Sequence, residues 1–308
     1  MTPSLPPIRS WLYAPGNNAR VLEKVFDVGA DAVILDLEDA VPPGEKTRAR
    51  DLVADTVRGR AGQPRPAVFV RVNHPSSGLV EDEVRAIIGP GLTGVRVPKV
   101  EDAATVEQVD AWIATAEMAA ALAVGRLALV CNIESARGLA NAEAIARARP
   151  RVLALAFGGA DLARDLSLVP GPDGLETLYA RSQLVLASRL AGVRPPVDGV
   201  YTHLSDEHGL ERGTRQGRAL GFFGRAALHP RQVPIINSVY TPSEDEVAWA
   251  SEVVAAAERA EADGSGALQL PNGEFVDVAI VRRAQDVLAL AQALGAPSPR
   301  PSPTGRGG

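Results

Sequence analysis

Eight short apolar runs, each followed by a segment of different period, constrain this chain more than any other feature. The runs fall at 10–14, 32–37, 67–72, 94–97, 127–132, 152–157, 197–202 and 224–228. Two of them, AVILDL and AVFVRV, are apolar at almost every position rather than at alternate ones. A strand with one wet face alternates. A strand buried on both faces does not, and such strands belong to parallel sheets covered by helices. The segments between the runs carry helical signs. NNARVLEKVFDVG offers Asn17 or Asn18 as a cap, an apolar face of Val21, Leu22, Val25 and Phe26, and Gly29 as a stop. EDAATVEQVDAWIATAEMAAALAVG opens with acidic residues, which the helix dipole favours at that end. Eight strands joined by seven crossovers predict a (β/α)8 TIM barrel.

Past residue 236 the pattern changes. TPSEDEVAWASEVVAAAERAEADG reads as a strong helix, with Thr241 or Ser243 as its cap and Gly264 at its end. A turn at Pro271-Asn272-Gly273 and a second helix follow. The expected organisation is a barrel over 8–236, a C-terminal helical extension over 237–295 and a disordered Pro/Gly/Ser/Arg-rich tail over 296–308. A length of 308 residues suits this, since such barrels take about 250 residues before extensions. A net charge of −5 gives no basic footprint for nucleic acid. No apolar stretch approaches the roughly 18 residues of a membrane span, and MTPSLPPIRS lacks a signal pattern. The expectation is a cytoplasmic chain with no membrane partner. The one cysteine, Cys131, lies inside an apolar run and reads as a small core residue rather than a nucleophile.

In this barrel type the active site lies at the C-terminal ends of the strands. That rim collects Asp36, Glu38 and Asp39 after the second run, Arg71 and Asn73 in and after the third, and Lys99 and Glu101 after the fourth. Asn132 and Glu134 follow from the fifth, Asp161 from the sixth, Tyr201, His203 and Asp206 from the seventh, and His229 from the eighth. Several carboxylates on one barrel mouth repel one another, and a divalent cation resolves the repulsion. Oxygen ligands without Cys or His at ligand spacing favour Mg²⁺, or the similar Mn²⁺, over Zn²⁺. Glu134 and Asp161 end consecutive strands and are the expected metal ligands. Two protein carboxylates leave positions for water and substrate, as a catalytic Mg²⁺ requires. The plainer reading of a strand-end Glu is a helix-cap partner or a loop pin. Arg71, after three apolar residues, needs an anion. That anion is either Asp36, Glu38 or Glu101 in a structural ion pair, or the carboxylate of a substrate. His74 and His203 read as loop residues, His229 as a loop orienter beside Pro230, and Lys99 as a neutraliser of the rim. GPGLTG at 89–94 matches G-x-G-x-x-G, but a helix precedes it and a strand follows, the reverse of a dinucleotide site.

Seven motifs in collinear order, from RSWLYAPGNNARVLEKVFDVGADAVILDLEDAVPPGEKTRAR through FVRVN, VPKVE, NIESARGL, FGGADLARDL and LGFFGRAALHPRQV to EFVDVAIVRRAQ, resemble the citrate lyase β-subunit-like proteins of the HpcH/HpaI aldolase/citrate lyase family of CoA-ester lyases. The resemblance spans roughly residues 8–294. It implies cleavage of a C–C bond in a 3-hydroxy-3-carboxyacyl-CoA of the citryl-, malyl- or citramalyl-CoA type. The products are an acyl-CoA, such as acetyl-CoA, and a 2-keto acid. It implies Glu134 and Asp161 as Mg²⁺ ligands, with Arg71 and Glu134 at the substrate. Asp36, Glu38 and Asp39 would act around the metal, and Lys24 and Lys46 would meet CoA phosphates. Asp277 would act as an acid/base group in a neighbouring subunit, which implies a homo-oligomer, a trimer or hexamer. Two positions depart from the family pattern: Ala279 stands where Pro is frequent two residues after the Asp, and Arg225 stands where Lys is common. Three other readings stay open: a malyl-CoA-type thioesterase, a class II-type aldolase on free hydroxy-keto acids, and a non-catalytic CoA-binding barrel.

Overall fold

A computed structural model describes residues 5–171, 173–262, 268–270, 273 and 275–295. The expected disordered tail at 296–308 lies outside the described residues, as do Pro271 and Asn272 of the expected turn. Six parallel strands follow one another in both sequence and space: β1 (Ser10–Pro15), β2 (Ala32–Asp36), β3 (Ala67–Arg71), β4 (Gly94–Val97), β5 (Ala128–Ile133) and β6 (Val152–Phe157). The helices between them are α1 (Ala19–Lys24), α2 (Lys46–Gly59), α3 (Val80–Ile87), α4 (Ala103–Ala119), and the short pair α5 (Ala136–Ala140) and α6 (Ala142–Arg147). After β6 come α7 (Gly159–Asp165), α8 (Leu178–Ala191), α9 (Glu207–Leu220), β7 (Arg225–Ala227) and α10 (Gln232–Tyr240). Strand β7 pairs parallel with β1.

The ring closes through an eighth position that is not a regular strand. Val197 bridges Ala156 of β6 and Asp198 bridges Arg225 of β7, both parallel. Phe157 N donates to Val197 O, and Ala226 N donates to Asp198 O. The sequence predicts a six-residue strand at 197–202, and the structure holds two bridging residues. The local chemistry explains the difference. Pro195 and Pro196 offer no N–H to a ladder, and Gly199 follows Asp198 directly. Asp198 itself turns to Arg181 and Arg225, 2.8 and 3.2 Å away.

The strands are apolar throughout because both faces are covered. Trp11, Ile34, Phe69, Val130 and Ala156 belong to one buried cluster, with the Trp11 and Phe69 rings 4.8 Å apart. Leu12, Val33, Leu35, Val68 and Val70 belong to another, against the helices. Helix starts follow local capping chemistry. Asn18 caps α1, Asp102 caps α4 and Ser135 caps α5, each accepting from a backbone N–H three residues on.

The chain divides into two compact units, 1–240 and 241–308. The second contains α11 (Glu244–Ala262), a two-strand antiparallel ladder of β8 (Leu268–Gln269) and β9 (Phe275–Val276), and α12 (Val278–Ala293). Ser243 and Glu246 form a reciprocal capping box at the start of α11, at 2.8 and 3.1 Å. The small ladder goes beyond the turn that the sequence predicts there. Among the described residues no helix is long and apolar enough to cross a membrane.

One buried charge network ties α4 to the entry of β6. Glu117 is 0% exposed. It accepts from both terminal nitrogens of Arg151 at 3.0–3.1 Å and from Gly125 N and Leu127 N at 2.8 Å. Arg151 Nε also pairs with Asp110, but removing Glu117 takes the carboxylate from both Arg151 terminal nitrogens and leaves the Gly125 and Leu127 N–H groups without their acceptor. Glu117→Ala should therefore lower the free energy of unfolding by about 3–5 kcal/mol in urea titrations. A loss below about 1 kcal/mol contradicts this account of the network.

Candidate active site

Parallel register sets three charges in one row. Asp36 of β2 pairs with Arg71 of β3, and Arg71 pairs with Arg96 of β4. The row forms part of the wall of a cavity of about 400 Å³ at the C-terminal ends of the strands. Tyr13, Asp39, Asn132, Glu134, Gly158 and Asp161 also line it. Arg71 donates through Nε and Nη2 to the two oxygens of Asp36, at 2.7 and 2.6 Å, and its Nη1 lies 2.8 Å from Glu38 Oε2. Burial is the largest single influence and opposes the Arg71 charge, but the hydrogen bond to Asp36 and the attraction of Tyr13, Asp36 and Glu38 together outweigh it, so the guanidinium titrates above its ordinary range. The ion-pair reading of Arg71 is thus what the structure contains, and the side chain still reaches the cavity. Lys99 pairs with Glu38 Oε1 and lies 3.6 Å from Asp39. Its backbone is in the left-handed region, φ 52°, a costly conformation for a residue with a side chain. Burial raises the Glu38 pKa in spite of its two cationic neighbours.

Glu134 follows β5 directly and is 5% exposed. Asn132 Nδ2 donates to its Oε1 at 2.8 Å, and Arg96 Nε donates to Asn132 Oδ1 at 2.7 Å. Among the described residues no Lys, Arg or His forms an ion pair with Glu134. Burial first, then the charges of Glu38 and Asp161, raise its pKa to about 7. Asp161 stands in the first turn of α7, half-buried, 3.0 Å from the exposed guanidinium of Arg164. Between them Gly158 makes room: a Cβ there would lie 2.3 Å from Glu134 Cγ. Among the described residues no three or more His, Cys, Asp or Glu side chains form a ready cluster for a metal. Glu134 and Asp161 number two, as a Mg²⁺ centre that keeps water and substrate positions needs. One of them is a buried carboxylate without a cationic partner, so the donor set fits a hard divalent cation.

The other expected site residues divide. Asp36, Asp39, Arg71, Glu134 and Asp161 share the cavity, with Glu38 bonded directly behind Arg71. Lys46 is not free to meet a CoA phosphate. Its Nζ donates to Leu37 O, Glu38 O and Asn73 Oδ1 at 2.7–2.8 Å, so its three protons are spent on holding the loop after β2. Lys24 is exposed in the last turn of α1. Asp277, in the second unit, is exposed and caps α12, accepting from Ile280 N at 2.9 Å. Glu101 accepts from Ser135 Oγ at 2.7 Å. His74 and His229 each accept a backbone N–H through Nδ1, and His203 lies edge-on to Tyr201. Cys131 is fully buried, and burial pushes its thiol up to about 12, so it stays protonated core.

Sequence reasoning passed over Arg96, Tyr13 and Gly158. Arg96 carried the same signal as Arg71, a lone guanidinium inside an apolar strand, GVRV beside FVRV. Tyr13 and Gly158 act through contacts that strand-end position alone does not reveal.

The sequence profile of the HpcH/HpaI aldolase/citrate lyase family matches residues 9–230. The chain is 37% identical to citrate lyase subunit beta of Leuconostoc mesenteroides subsp. cremoris, over 92% of this chain and 93% of that protein. It is also 37% identical to a (3S)-malyl-CoA thioesterase of Cereibacter sphaeroides, over 94% and 96%. Among solved structures it is similar to the CitE protein of Mycobacterium tuberculosis in complex with magnesium, acetoacetate and coenzyme A. The TM-score there is 0.75 and the identity 29%, covering 94% of this chain and 99% of that one.

The raised Glu134 pKa has a stability consequence. Its carboxyl titrates near 4.5 when unfolded and near 7 when folded. The folded state thus holds the proton more tightly. The stability tied to that proton is complete below about pH 4.5 and is lost as pH rises through about 7. In cation-free buffer, Glu134→Gln should stabilise the chain at pH 8 by up to about 3 kcal/mol and little at pH 5. Urea unfolding at the two pH values measures this, and a difference that ignores pH contradicts it.

Proposed function

The chain belongs to the HpcH/HpaI aldolase/citrate lyase family, and on that premise we propose that it is a Mg²⁺-dependent CoA-ester lyase. Its substrate is a 3-hydroxy-3-carboxyacyl-CoA of the citryl-, malyl- or citramalyl-CoA type. The bond between the hydroxyl-bearing carbon and the thioester α-carbon breaks, the hydroxyl proton leaves, and the α-carbon gains a proton. The products are an acyl-CoA and a 2-keto acid, and the reverse is a Claisen condensation. The observation that carries this reading is the Glu134–Asp161 carboxylate pair, with Glu134 buried and unpaired, in a cavity that also holds two guanidinium groups. The magnesium, acetoacetate and coenzyme A bound to the similar CitE protein support it.

Glu134 and Asp161 would hold the cation. Bound Mg²⁺ supplies a Lewis acid that stabilises negative charge developing on a substrate oxygen. The residues around it supply order. Asp36 and Glu38 fix the Arg71 guanidinium, and Asn132 fixes the Glu134 carboxylate. Asp39, exposed at the mouth and in part balanced by Lys99, is placed to organise water there. Lys24 remains as an exposed cation for a CoA phosphate. Asp277 is exposed and among the described residues its side chain serves only as a helix cap, which supports a role as acid/base group toward a neighbouring copy in a homo-oligomer.

Thioester hydrolysis on the same site is the second reading, favoured by the equal identity to a (3S)-malyl-CoA thioesterase. Product analysis separates the two: a lyase yields keto acid plus acyl-CoA, a thioesterase yields hydroxy acid plus free CoA. Incubation with Mg²⁺ and malyl-, citramalyl-, citryl- or methylmalyl-CoA, followed by mass spectrometry, should give keto acid and acyl-CoA from at least one. Glu134→Ala or Asp161→Ala should cut that turnover by at least about 1000-fold. Full activity in either variant overturns the metal assignment, and no cleavage of any of the four substrates overturns the lyase reading.

A further inference from the structure

The barrel ladder runs out early beside β7. The seventh position supplies two bridging residues, Val197 and Asp198, and β7 spans only Arg225–Ala227. Past them, among the described residues, no backbone hydrogen bond joins 199–201 to 228–229. Yet Gly199 and Val200 on one side and Leu228 on the other line the cavity. The side chain of Gln232, 3% exposed, crosses this gap. Its Oε1 accepts from Leu228 N at 2.9 Å and His229 N at 3.3 Å, and its Nε2 donates to Tyr201 O at 2.8 Å. A side-chain amide offers a carbonyl acceptor and N–H donors, as a peptide group does. Gln232 thus supplies the rung that two prolines and a short β7 leave out.

The acceptor half has a plainer explanation. Gln232 stands at the start of α10, and a Gln there reaches back to an N–H three residues earlier, as in a capping box. Capping asks nothing of Nε2. Its proton goes to a separate loop, and that bond is the one hydrogen bond between 199–203 and 228–232 among the described residues. The Arg225 guanidinium lies 6.0 Å from the Tyr201 ring, a contact that fixes no backbone. The charged groups of the cavity come from the other side, from Asp36 in β2 round to Asp161 in α7. Gly199, Val200, Ala226 and Leu228 give it an apolar wall. We propose, on the lyase reading above, that Gln232 is a positioning residue, which holds Val200 and Leu228 as one wall against the uncharged carbons of the substrate. Gln232 does not line the cavity itself and acts through the wall that it ties. Loosening that wall weakens the hold on substrate and leaves Glu134 and Asp161, on the far side, undisturbed.

Two variants separate the clamp from the cap. Gln232→Glu keeps an acceptor for Leu228 and His229 and, once ionised, has no donor for Tyr201 O. Gln232→Met has no such donor at any pH. The full chain is assayed with Mg²⁺ on the thioester that the wild-type protein cleaves, between about pH 6 and 9. The KM of Gln232→Glu relative to wild type should climb with pH from near unity to about tenfold, because the protonated carboxyl still donates and burial delays its ionisation. Gln232→Met should show the rise of about tenfold throughout, with kcat within about threefold of wild type and Mn²⁺ affinity unchanged. A wild-type KM in folded Gln232→Met, with stability alone lowered, overturns the proposal and leaves the lyase reading standing. A parallel loss of Mn²⁺ affinity marks a general disturbance and overturns it too. Should the variants not fold, hydrogen exchange on the wild-type protein decides. Protection of the Leu228 and His229 amides, which lie beyond the ladder, upholds the clamp, and exchange at the rate of an open loop refutes it. Wild-type protein that cleaves no thioester overturns the lyase reading, whereas the exchange measurement needs no substrate.

Discussion

Arg71 and Asp36 face each other across the β2–β3 ladder, and their two parallel hydrogen bonds govern how every other charge at this end of the barrel is used. The bidentate pair consumes the nearest cation. Glu38 takes what remains of Arg71 and then Lys99. Glu134, one strand beyond β4, is left with a neutral amide as its partner. A buried carboxylate in that position resists ionising, and a second carboxylate nearby adds to the resistance. A divalent cation relieves both at once, whereas a single lysine or arginine relieves only one charge. On the proposed assignment, a metal at this rim is favoured by how the fixed cations are spent elsewhere.

Backbone detail sustains the arrangement. Gly158 begins the turn into α7, and its missing side chain is what lets Glu134 lie beneath it. Ser135 caps α5 and also donates to Glu101, so the segment just after Glu134 is pinned from two directions. Lys46 ties the loop after β2 to Asn73 after β3 and keeps Asp36 and Glu38 in place. These residues read from sequence as ligand contacts or as ordinary loop residues. In the structure they support the groups that face the cavity.

The barrel was legible because parallel strands buried on both faces carry a distinctive apolar signature, and strand-end position then named Asp36, Arg71, Glu134 and Asp161 as a group. The seventh predicted strand was misjudged. Hydrophobicity at 197–202 does not reveal that two prolines and an inward-turned Asp198 reduce the run to two bridges. Lys46 was misjudged for a related reason. A basic residue at the start of a helix looks the same in sequence whether its protons meet solvent or three protein oxygens. Arg96 went unremarked although its signal was equal to that of Arg71, because a charge inside a strand says that an anion is near and not which one.

On the proposed reading, Glu134 and Asp161 form a divalent-cation site favoured because, among the described residues, no Lys, Arg or His forms an ion pair with Glu134. Electron paramagnetic resonance titration of the full chain with Mn²⁺ tests it without reference to any substrate. One bound Mn²⁺ per chain, displaced by Mg²⁺ and lost in Glu134→Gln, is the result predicted. Mn²⁺ bound with undiminished affinity in Glu134→Gln would contradict the account.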